Sequence, residues 1–412
     1  MTTFVPLQAA RALALEAQSL THRENSHPTR ETILEVVKQV GAVQIDTLHV
    51  VARAHYMLIW SRLGTYDPAD FDTLLFDPAD RQLFEYWKKA ACVVPLDEYR
   101  YHRPKMERFL NYDSWFKKWI ETPGAKEALD LVRERITGEG ALRGADFEYN
   151  GPKRDSWWDW KPTKKALEYL FGAGELMIAN RVKFQRVYDL TERVLPGWVD
   201  TTSATRAEAD RFFIEQAGQC LGIARPLQLA EYAYMGRGRA RPIVENLIDD
   251  ETLVVVKAET FDGTSADMVV HKNNLPLLQK ALDGAIKPDR TTFMTFFDNL
   301  FWAKGRDQDF WNYSNVLEAY KREEDRIWGY FCLSILHKDR IVGRFDPKVE
   351  RKTGRMILKT LYLEPHIQPD EELVADFVAT MRDFMRFHKA TELVIERSDP
   401  KDFGKKVQRL LK

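Results

Sequence analysis

Apolar residues recur at helical spacing in the segment that follows His27. Each of them has another apolar residue three or four positions away, and Gly41 comes directly after the last of them, Val40. The apolar positions are Ile33, Leu34, Val36, Val37 and Val40. A period near 3.6 residues with a glycine at its end predicts one amphipathic helix followed by a turn.

Two further helices and a hairpin are predicted directly downstream. The spacing predicts a helix over roughly residues 47 to 63 that ends at Gly64. The stretch DPADFDTLLF predicts another helix, with Asp67 as its cap and Pro68 at its first position. The run FEYWKKAACVVP that follows is typical of two short paired strands. Helix, turn, helix and hairpin in this order form the winged-helix pattern.

The same order of elements recurs twice farther along the chain. In the second copy, helices are predicted over residues 124 to 140 and in KPTKKALEYLFGAG, followed by a hairpin in ELMIANRVKFQRVYDL. In the third copy, helices are predicted in ATRAEADRFFIEQAGQCLG, RPLQLAEYAYMG and RARPIVENLIDD, and a hairpin turns at Asp262-Gly263. The repetition predicts three tandem winged-helix units over roughly residues 25 to 275.

Beyond Pro288 the pattern changes to long apolar or alternating stretches. Strands are predicted in VLEAY, IWGYFCLSILHKDRIVGRF, RMILKTLYLEP and ELVIER, with one helix over roughly residues 370 to 389. The predicted fold class is α+β and mostly helical, with three tandem winged-helix motifs and a C-terminal β-rich domain that has a packing helix. The predicted parts are an N-terminal region with the first winged helix, the second and third winged helices, and the β-rich domain, at residues 1–110, 111–200, 201–287 and 288–412.

Composition adds few constraints to this picture. A chain of 412 residues with 44% hydrophobic residues can fill the cores of a large globular protein. Its uncharged apolar runs are shorter than the roughly 18 residues of a membrane span, so we expect no membrane association. Cys92, Cys220 and Cys332 lie far apart among apolar neighbours, which favours core positions over a disulfide framework or a thiolate metal site. A formal net charge of -1 means that any nucleic-acid surface must be local.

The stretch VQID places two polar side chains inside an apolar run. In extended chain, alternation sends Gln44 and Asp46 to one side and Ile45 to the core. A carboxylate beside an amide can accept a proton from a water that the amide also holds, and its charge can stabilise a nearby cation. These are the requirements for hydrolysis through a cationic transition state. The alternative is that Asp46 only caps a helix beginning at Thr47.

Basic residues cluster in the turn DPKVERKTGR between two predicted strands. The cluster consists of Lys348, Arg351, Lys352 and Arg355. A basic hairpin tip can reach phosphates or a minor groove, although exposed turns are also often Lys-rich for solubility alone. Arg53 and Arg62, on the predicted helix after Asp46, are further candidates for DNA contacts or ordinary surface charges.

A cluster of tryptophans lies in PKRDSWWDWKP, at Trp157, Trp158 and Trp160. For these side chains, core packing is favoured over base stacking.

Long ordered blocks of the chain resemble the winged-helix DNA glycosylases of the YcaQ-like, crosslink-repair type. The blocks are VQIDTLHVVARAHYMLIWSRLGTYDPADFDTLLF, LFEYWKKAACVVP, WKPTKKALEYLFGAGELMIANRVKFQRVYDLTERVLP and GYFCLSILHKDRIVGRFDPKVERKTGRMILKTLYLEP. The resemblance extends from about Leu7 to Glu396. One departure is Lys89, which stands where the family pattern has a His after EYW and a small residue.

The resemblance implies both an activity and the residues that perform it. Asp46 is expected to activate the water or stabilise the developing cation, and Gln44 is expected to position the water. The implied activity is monofunctional hydrolysis of the N-glycosidic bond of N7-alkylated purines, including bulky adducts and nitrogen-mustard-type interstrand crosslinks, which leaves an abasic site. The family also favours a DNA-binding role for the basic turn.

The expected partner is therefore double-stranded DNA carrying alkylated purines, bound by a monomer. No metal and no cofactor are expected, because the chain lacks Cys/His metal spacing, a phosphate-binding glycine loop and a dinucleotide fingerprint. The expected location is the cytoplasm, with the protein associated with the nucleoid when bound to DNA. The alternatives are a non-catalytic winged-helix DNA-binding protein or transcriptional regulator, or a structural array that binds other proteins.

Overall fold

The computed structural model describes residues 2–22, 27–110, 116–147 and 161–411. The tryptophans Trp157, Trp158 and Trp160 lie outside these residues. The chain folds into two compact units, and each unit is built from segments that are not continuous in sequence. The first consists of Met1–Phe71, Lys88–Ala90 and Phe213–Lys412, and the second of Asp72–Trp87 and Ala91–Phe212. The four-part division by residue number stays a prediction.

Helices and strands alternate along the whole chain. The α-helices of the described residues are α1 (Leu7–Glu16), α2 (Arg30–Val40), α3 (Ala54–Leu63), α4 (Pro68–Phe76), α5 (Tyr99–Leu110), α6 (Phe116–Ile120), α7 (Ala125–Glu139), α8 (Pro162–Gly172), α9 (Thr191–Val194), α10 (Arg206–Leu221), α11 (Gln228–Tyr232), α12 (Arg237–Asp249), α13 (Leu275–Leu282), α14 (Arg306–Trp311), α15 (Glu371–Phe387) and α16 (Lys401–Leu410). The strands are β1 (Phe4–Val5), β2 (Val43–Gln44), β3 (Leu83–Trp87), β4 (Ala91–Pro95), β5 (Leu142–Arg143), β6 (Leu176–Val182), β7 (Gln185–Leu190), β8 (Leu253–Glu259), β9 (Ser265–His271), β10 (Thr291–Met294), β11 (Leu333–His337), β12 (Arg340–Glu350), β13 (Arg355–Leu363), β14 (Glu392–Ile395) and β15 (Ser398–Asp399).

The fold is mixed, with more helix than strand. Helix makes up 46% and strand 20%, so the prediction of a fold that combines helices and sheets is confirmed. The hairpins β3–β4, β6–β7 and β8–β9 are antiparallel and lie where the alternating stretches predicted them. Helix α15 and the parallel strand β14 likewise match the predicted C-terminal helix and last strand.

Helix α2 forms because its sequence has both ends and one apolar face. Thr29 and Thr32 cap its first turn reciprocally, each side chain bonding the other's backbone N–H. The apolar residues of the predicted face are buried, apart from a partly exposed Leu34. At the C-terminal end Gly41 adopts φ +70°, a left-handed conformation that glycine takes without steric cost. The chain therefore leaves α2 through a fixed turn.

The first unit contains the larger sheet, whose order is β10-β11-β12-β13-β14, with β15 pairing with β13. Strands β12 and β13 form a long antiparallel hairpin, and its register shifts between Asp346 and Pro347, as expected where a proline cannot donate to the ladder. Helix α3 packs on this sheet through Trp60, whose ring lies 5.8 Å from that of Phe293 on β10 and 4.9 Å from that of Phe384 on α15. Aromatic packing thus fixes the helix that follows the VQID stretch.

The second unit has its own sheet, of order β5-β7-β6, and the β3–β4 hairpin. Glu85 on β3 is nearly completely buried and pairs with Arg181 on β6, with Nε 2.5 Å from Oε1. Arg186 on β7 pairs with Glu168 on α8 at 3.0 Å. These ion pairs join the helices and strands of this unit.

In the C-terminal part, one predicted strand is absent and one observed strand was not predicted. The stretch VLEAY is not a strand, because Glu318 within it accepts backbone N–H groups from Ile327, Trp328 and Gly329 and so organises a loop. Strand β10 was not predicted, although it pairs with β11 and forms the end of the sheet order.

Candidate active site

The stretch VQID leaves the turn at Gly41 as extended chain, beginning with strand β2. Ile45 is 8% exposed, whereas Gln44 and Asp46 are half-buried. The two polar side chains therefore alternate with a core residue, as the sequence predicted. An amide and a carboxylate thus flank a core residue within one short segment.

Asp46 does not cap a helix. Helix α3 begins at Ala54 with Arg53 as its N-terminal flanking residue, so the predicted helix from residue 47 starts seven residues too early. Instead, Asp46 Oδ1 accepts a hydrogen bond from the backbone N–H of Leu48 at 2.7 Å. This contact two residues ahead closes a tight turn, and residues 47–53 form an irregular loop between β2 and α3. The cap alternative is therefore wrong.

The carboxyl group of Asp46 holds its proton more strongly in this environment than it would in bulk water. Burial raises the pKa of Asp46, while the N–H of Leu48 and the positive charge of Arg53 act in the opposite direction. Desolvation is the largest of these influences, because a charged carboxylate loses hydration when it is half-buried. A base of raised pKa is better suited to accepting a proton from water near neutral pH.

Gln44 keeps its side-chain amide uncommitted within the part of the chain that the structure describes. Neither its carbonyl oxygen nor its NH₂ group bonds another described residue. An amide of this kind offers a donor and an acceptor to a water or a substrate two residues from the carboxylate of Asp46. Together, the two side chains can hold and deprotonate one water molecule.

The 47–53 loop is held by two arginines. Arg53 Nη1 donates to the carbonyl of Thr47 at 3.1 Å, closing the loop on itself. Arg351, from the turn between β12 and β13, donates through Nη2 to the carbonyl of Val51 at 2.7 Å and lies 3.0 Å from Nε2 of His49. Burial lowers the pKa of His49, and the charges of both arginines lower it further, so the imidazole is neutral and accepts this hydrogen bond.

The basic turn therefore reaches the loop that follows Asp46. Of its four predicted DNA-binding residues, Lys348 lies on β12 with a half-exposed side chain, 3.8 Å from Glu350. Lys352 is exposed at the turn, and Arg355 begins β13, where it pairs with Glu392 at 2.8 Å. Three of the four side chains thus present cationic groups to solvent near the tip, and Arg351 presents its guanidinium to the loop.

Arg62 is not a surface residue, so its prediction as a DNA contact is wrong. Its side chain is completely buried. The guanidinium forms a two-pronged pair with Asp298, with Nη2 2.8 Å from Oδ1 and a second short contact from Nη1 to Oδ2. Nε donates to the carbonyl of Gln18 at 3.1 Å. A charge in this position holds α3 in the core and is out of reach of phosphates.

The sequence did not reveal which distant residues support the site. The contact between His49 and Arg351, for example, joins positions 302 residues apart. The described residues contain no group of three or more His, Cys, Asp or Glu side chains arranged to hold a metal ion. Within the same residues, no helix combines the length and the apolar character needed to span a bilayer.

Comparison with known families identifies the type of protein. A family model described as "DNA glycosylase AlkZ-like" matches residues 37–387, which includes β2, the 47–53 loop, α3 and the β12–β13 hairpin. The chain belongs to the AlkZ-like DNA glycosylase family. The protein is accordingly a DNA glycosylase, and the resemblance recognised in its sequence blocks is confirmed.

The fold of this AlkZ-like glycosylase is also similar to a solved structure. The match is to Streptomyces sahachiroi DNA glycosylase AlkZ, with a TM-score of 0.62 and 16% sequence identity. It covers 96% of this chain and 100% of that chain. At this identity the match concerns the arrangement of the backbone, which is shared over nearly the whole length of both proteins.

Proposed function

We propose that this glycosylase hydrolyses the N-glycosidic bond of N7-alkylated purines in double-stranded DNA and leaves an abasic site. Its substrates would include bulky adducts and nitrogen-mustard-type interstrand crosslinks. The observation that supports the proposal most directly is the pair formed by half-buried Asp46, with its raised pKa, and uncommitted Gln44.

In the proposed reaction, Gln44 holds a water and Asp46 accepts its proton as the water attacks C1′ of the sugar. The bond from C1′ to the purine N9 breaks, and its electron pair leaves with the base. Alkylation at N7 makes the purine a cationic leaving group, so the reaction needs no strong general acid. The negative charge of Asp46 also stabilises the oxocarbenium character that develops on the sugar.

The DNA-binding residues that we propose are those of the basic turn, Lys348, Arg351, Lys352 and Arg355, together with Arg53 at the start of α3. Exposed cations at a hairpin tip suit contacts with phosphates or a minor groove. The proximity of Arg351 to the 47–53 loop supports this choice, because a turn that grips DNA there holds the duplex beside Asp46.

The proposed architecture has three winged-helix units in one chain that acts as a monomer. The order of elements supports it: α2, α3 and α4 precede hairpin β3–β4, α7 and α8 precede β6–β7, and α10, α11 and α12 precede β8–β9. A chain with several such units can clamp a duplex without the dimer symmetry of helix-turn-helix repressors. An open cleft would also suit a crosslinked base, which cannot swing out freely.

The experiment compares release of N7-methylguanine from duplex DNA by the wild-type protein, Asp46→Asn and Gln44→Ala. We expect release by the wild type, strong loss in Asp46→Asn and partial loss in Gln44→Ala, with unchanged binding to the same duplex. A duplex crosslinked by a nitrogen mustard extends the test to bulky substrates. Release by Asp46→Asn at the wild-type rate would disprove the assignment of the carboxylate, and no release by the wild type would disprove the proposed substrate.

A further inference from the structure

Three consecutive backbone carbonyls directly ahead of the VQID stretch are held by side chains. The carbonyl of Val40 accepts hydrogen bonds from Tyr232 Oη at 2.7 Å and from Asn299 Nδ2 at 3.2 Å. Lys88 Nζ lies 3.3 Å from the carbonyl of Gly41. The carbonyl of Ala42 accepts from Asn299 Nδ2 at 3.0 Å. We call Tyr232, Lys88 and Asn299 the carbonyl clamp.

The first of these carbonyls, that of Val40, lies at the end of α2, and the other two follow directly after the helix. The last carbonyls of α2 cannot bond within the helix, and at most helix ends they are satisfied by water or by the following turn. Here the clamp residues are 2%, 9% and 0% exposed, and Val40 and Ala42 are fully buried. Since water has little access, the direction of each carbonyl is set by the side chain that holds it.

The clamp residues are themselves fixed. Asn299 Nδ2 also lies 3.0 Å from Tyr232 Oη, so two members bond each other. Burial raises the pKa of Tyr232 well above its ordinary value, which keeps the hydroxyl protonated and able to donate. Lys88 Nζ is 2.7 Å from Gln216 Oε1 and 4.9 Å from the ring centre of Phe213. A donor with this many neighbours has little freedom to move.

Gly41 leaves no room for the turn to shift toward α10. A Cβ atom built on Gly41 would lie 2.7 Å from Gln216 Cδ, closer than real Cβ contacts. The amide of Gln216 therefore packs directly against the backbone of the turn and also holds Lys88. The turn between α2 and β2 is restrained by hydrogen bonds on its carbonyls and by steric contact on its α-carbon.

The segment that contains Asn299 also holds helix α3, which follows Asp46 in the chain. Asp298 accepts the N–H of Leu300 and pairs with Arg62 near the end of α3. Neighbouring residues thus hold the chain before Gln44 and the helix after Asp46. The VQID stretch and the 47–53 loop lie between these two anchors, and Arg351 holds the loop.

We propose that Asn299, Tyr232 and Lys88 are positioning residues for excision, and that they set the direction in which Gln44 and Asp46 project. This inference rests on the proposed function, because it concerns the side chains assigned to the hydrolysis. A displacement of the water-holding pair by about 1 Å is enough to slow an oriented reaction about 100-fold, so a clamp on the preceding carbonyls controls the rate without touching the substrate.

The test compares Asn299→Ala with Asn274→Ala. Asn274 is a matched control because it is also buried and donates through Nδ2 to two backbone carbonyls, those of Gly218 at 3.4 Å and Gln219 at 2.9 Å. Single-turnover release of N7-methylguanine is measured at saturating enzyme, together with the dissociation constant for the same duplex. We expect Asn299→Ala to slow release about 10- to 100-fold relative to Asn274→Ala, with equal dissociation constants. Equal rates in the two variants, or a loss confined to the dissociation constant, would overturn the proposal.

A second measurement does not depend on activity. Hydrogen–deuterium exchange of peptides covering residues 40 to 53 is expected to be faster in Asn299→Ala than in Asn274→Ala, with α15 exchanging equally in both. Unchanged exchange in this segment would overturn the clamp even if release were slower. Tyr232→Phe, with Tyr313→Phe as its control, removes one hydroxyl without a cavity and serves if Asn299→Ala does not fold; Tyr313 is a buried tyrosine bonded to Ser334 at 2.8 Å.

Failure of the clamp and failure of the proposed function give different results. If Asp46→Asn releases base at the wild-type rate while Asn299→Ala exchanges faster in residues 40 to 53, the assignment of Asp46 fails and the clamp stands. If Asp46→Asn is inactive and Asn299→Ala matches its control in both rate and exchange, the clamp fails alone. In the double variant Asp46→Asn with Asn299→Ala, we expect a further loss of rate smaller than the loss that Asn299→Ala causes alone, because one of the two positioned groups is already gone.

Discussion

Arg351 Nη2 lies 2.7 Å from the carbonyl oxygen of Val51, a contact between residues 300 positions apart in the chain. One of these residues belongs to the basic turn of the β12–β13 hairpin and the other to the 47–53 loop. The proposed DNA-gripping turn and the loop that follows Asp46 are therefore one connected structure. Arg351 differs in this respect from Lys352, which is its exposed neighbour at the turn.

Replacement of Arg351 by Ala is expected to reduce the single-turnover rate of base release about tenfold, because Val51 and His49 lose the group that holds them. Lys352→Ala is the matched control: it should weaken DNA binding and lower the slope of log affinity against log salt by about 1, with the rate at saturation unchanged. The measurements are release kinetics and a salt titration of binding. Identical effects of the two substitutions would contradict the separate role of Arg351.

The rate of base release is expected to fall on the acid side at a higher pH than an ordinary aspartate would give. Asp46 must be ionised to accept a proton, and burial raises its pKa. Activity is therefore lost as the pH falls through that raised pKa. Single-turnover rates over roughly pH 4 to 8 measure the midpoint. A midpoint at or below the ordinary value for Asp would show that another group limits the reaction.

Asp46→Asn is expected to make the protein more stable at neutral pH while abolishing release. A carboxyl with a raised pKa binds protons more tightly in the folded state, so stability decreases as the pH rises from the unfolded-state pKa through the folded-state pKa. Above that window the ionised Asp46 destabilises the fold, and a neutral amide removes this effect. Thermal unfolding at neutral pH and below the window measures the difference. The gain in melting temperature should vanish at the lower pH; a gain that persists there would have another cause.

Arg62→Met is expected to destabilise the protein by about 3–5 kcal/mol, because it leaves Asp298 buried without its partner. The double variant Arg62→Met with Asp298→Leu should recover much of this loss, since neither charge then remains in the core. Denaturant unfolding of the wild type, both single variants and the double variant gives the coupling energy. The salt dependence of DNA binding should be the same in folded Arg62→Met as in the wild type, and a smaller slope would reinstate Arg62 as a phosphate contact.

Local patterns predicted the elements whose stabilising residues are neighbours in sequence. The capping residues and apolar face of α2 lie within twelve positions of Gly41. In each hairpin, the two strands of alternating residues and the turn that joins them are likewise close together in sequence. The helix predicted from residue 47 was too long because TLHVVAR is compatible with helical periodicity. Residues 47–53 are kept out of the helix, which begins at Ala54, by the bond from Leu48 N–H to Asp46 and by the hydrogen bond from Arg351 to the carbonyl of Val51. The second of these contacts has no local signal.

The VQID stretch itself was found because an acid and an amide inside an apolar run are unusual, whatever the rest of the fold does. Its supports were not found, since Lys88, Tyr232 and Asn299 each look ordinary in their own segments. The burial of Arg62 has the same explanation, because its partner Asp298 lies 236 residues away. Local sequence thus points to the candidate reacting groups, and the tertiary fold determines what holds them.

The order of these parts along the chain has a consequence for synthesis. The proposed reacting pair, Gln44 and Asp46, leaves the ribosome before its supports, since Tyr232, Asn299 and Arg351 follow about 190, 255 and 305 residues later. At roughly 5 to 20 residues per second, tens of seconds separate the reacting pair from its last support. A nascent or truncated chain that ends before Asn299 carries both reacting side chains without the contacts that orient them. On these assignments, base excision becomes possible only after Arg351 has been synthesised.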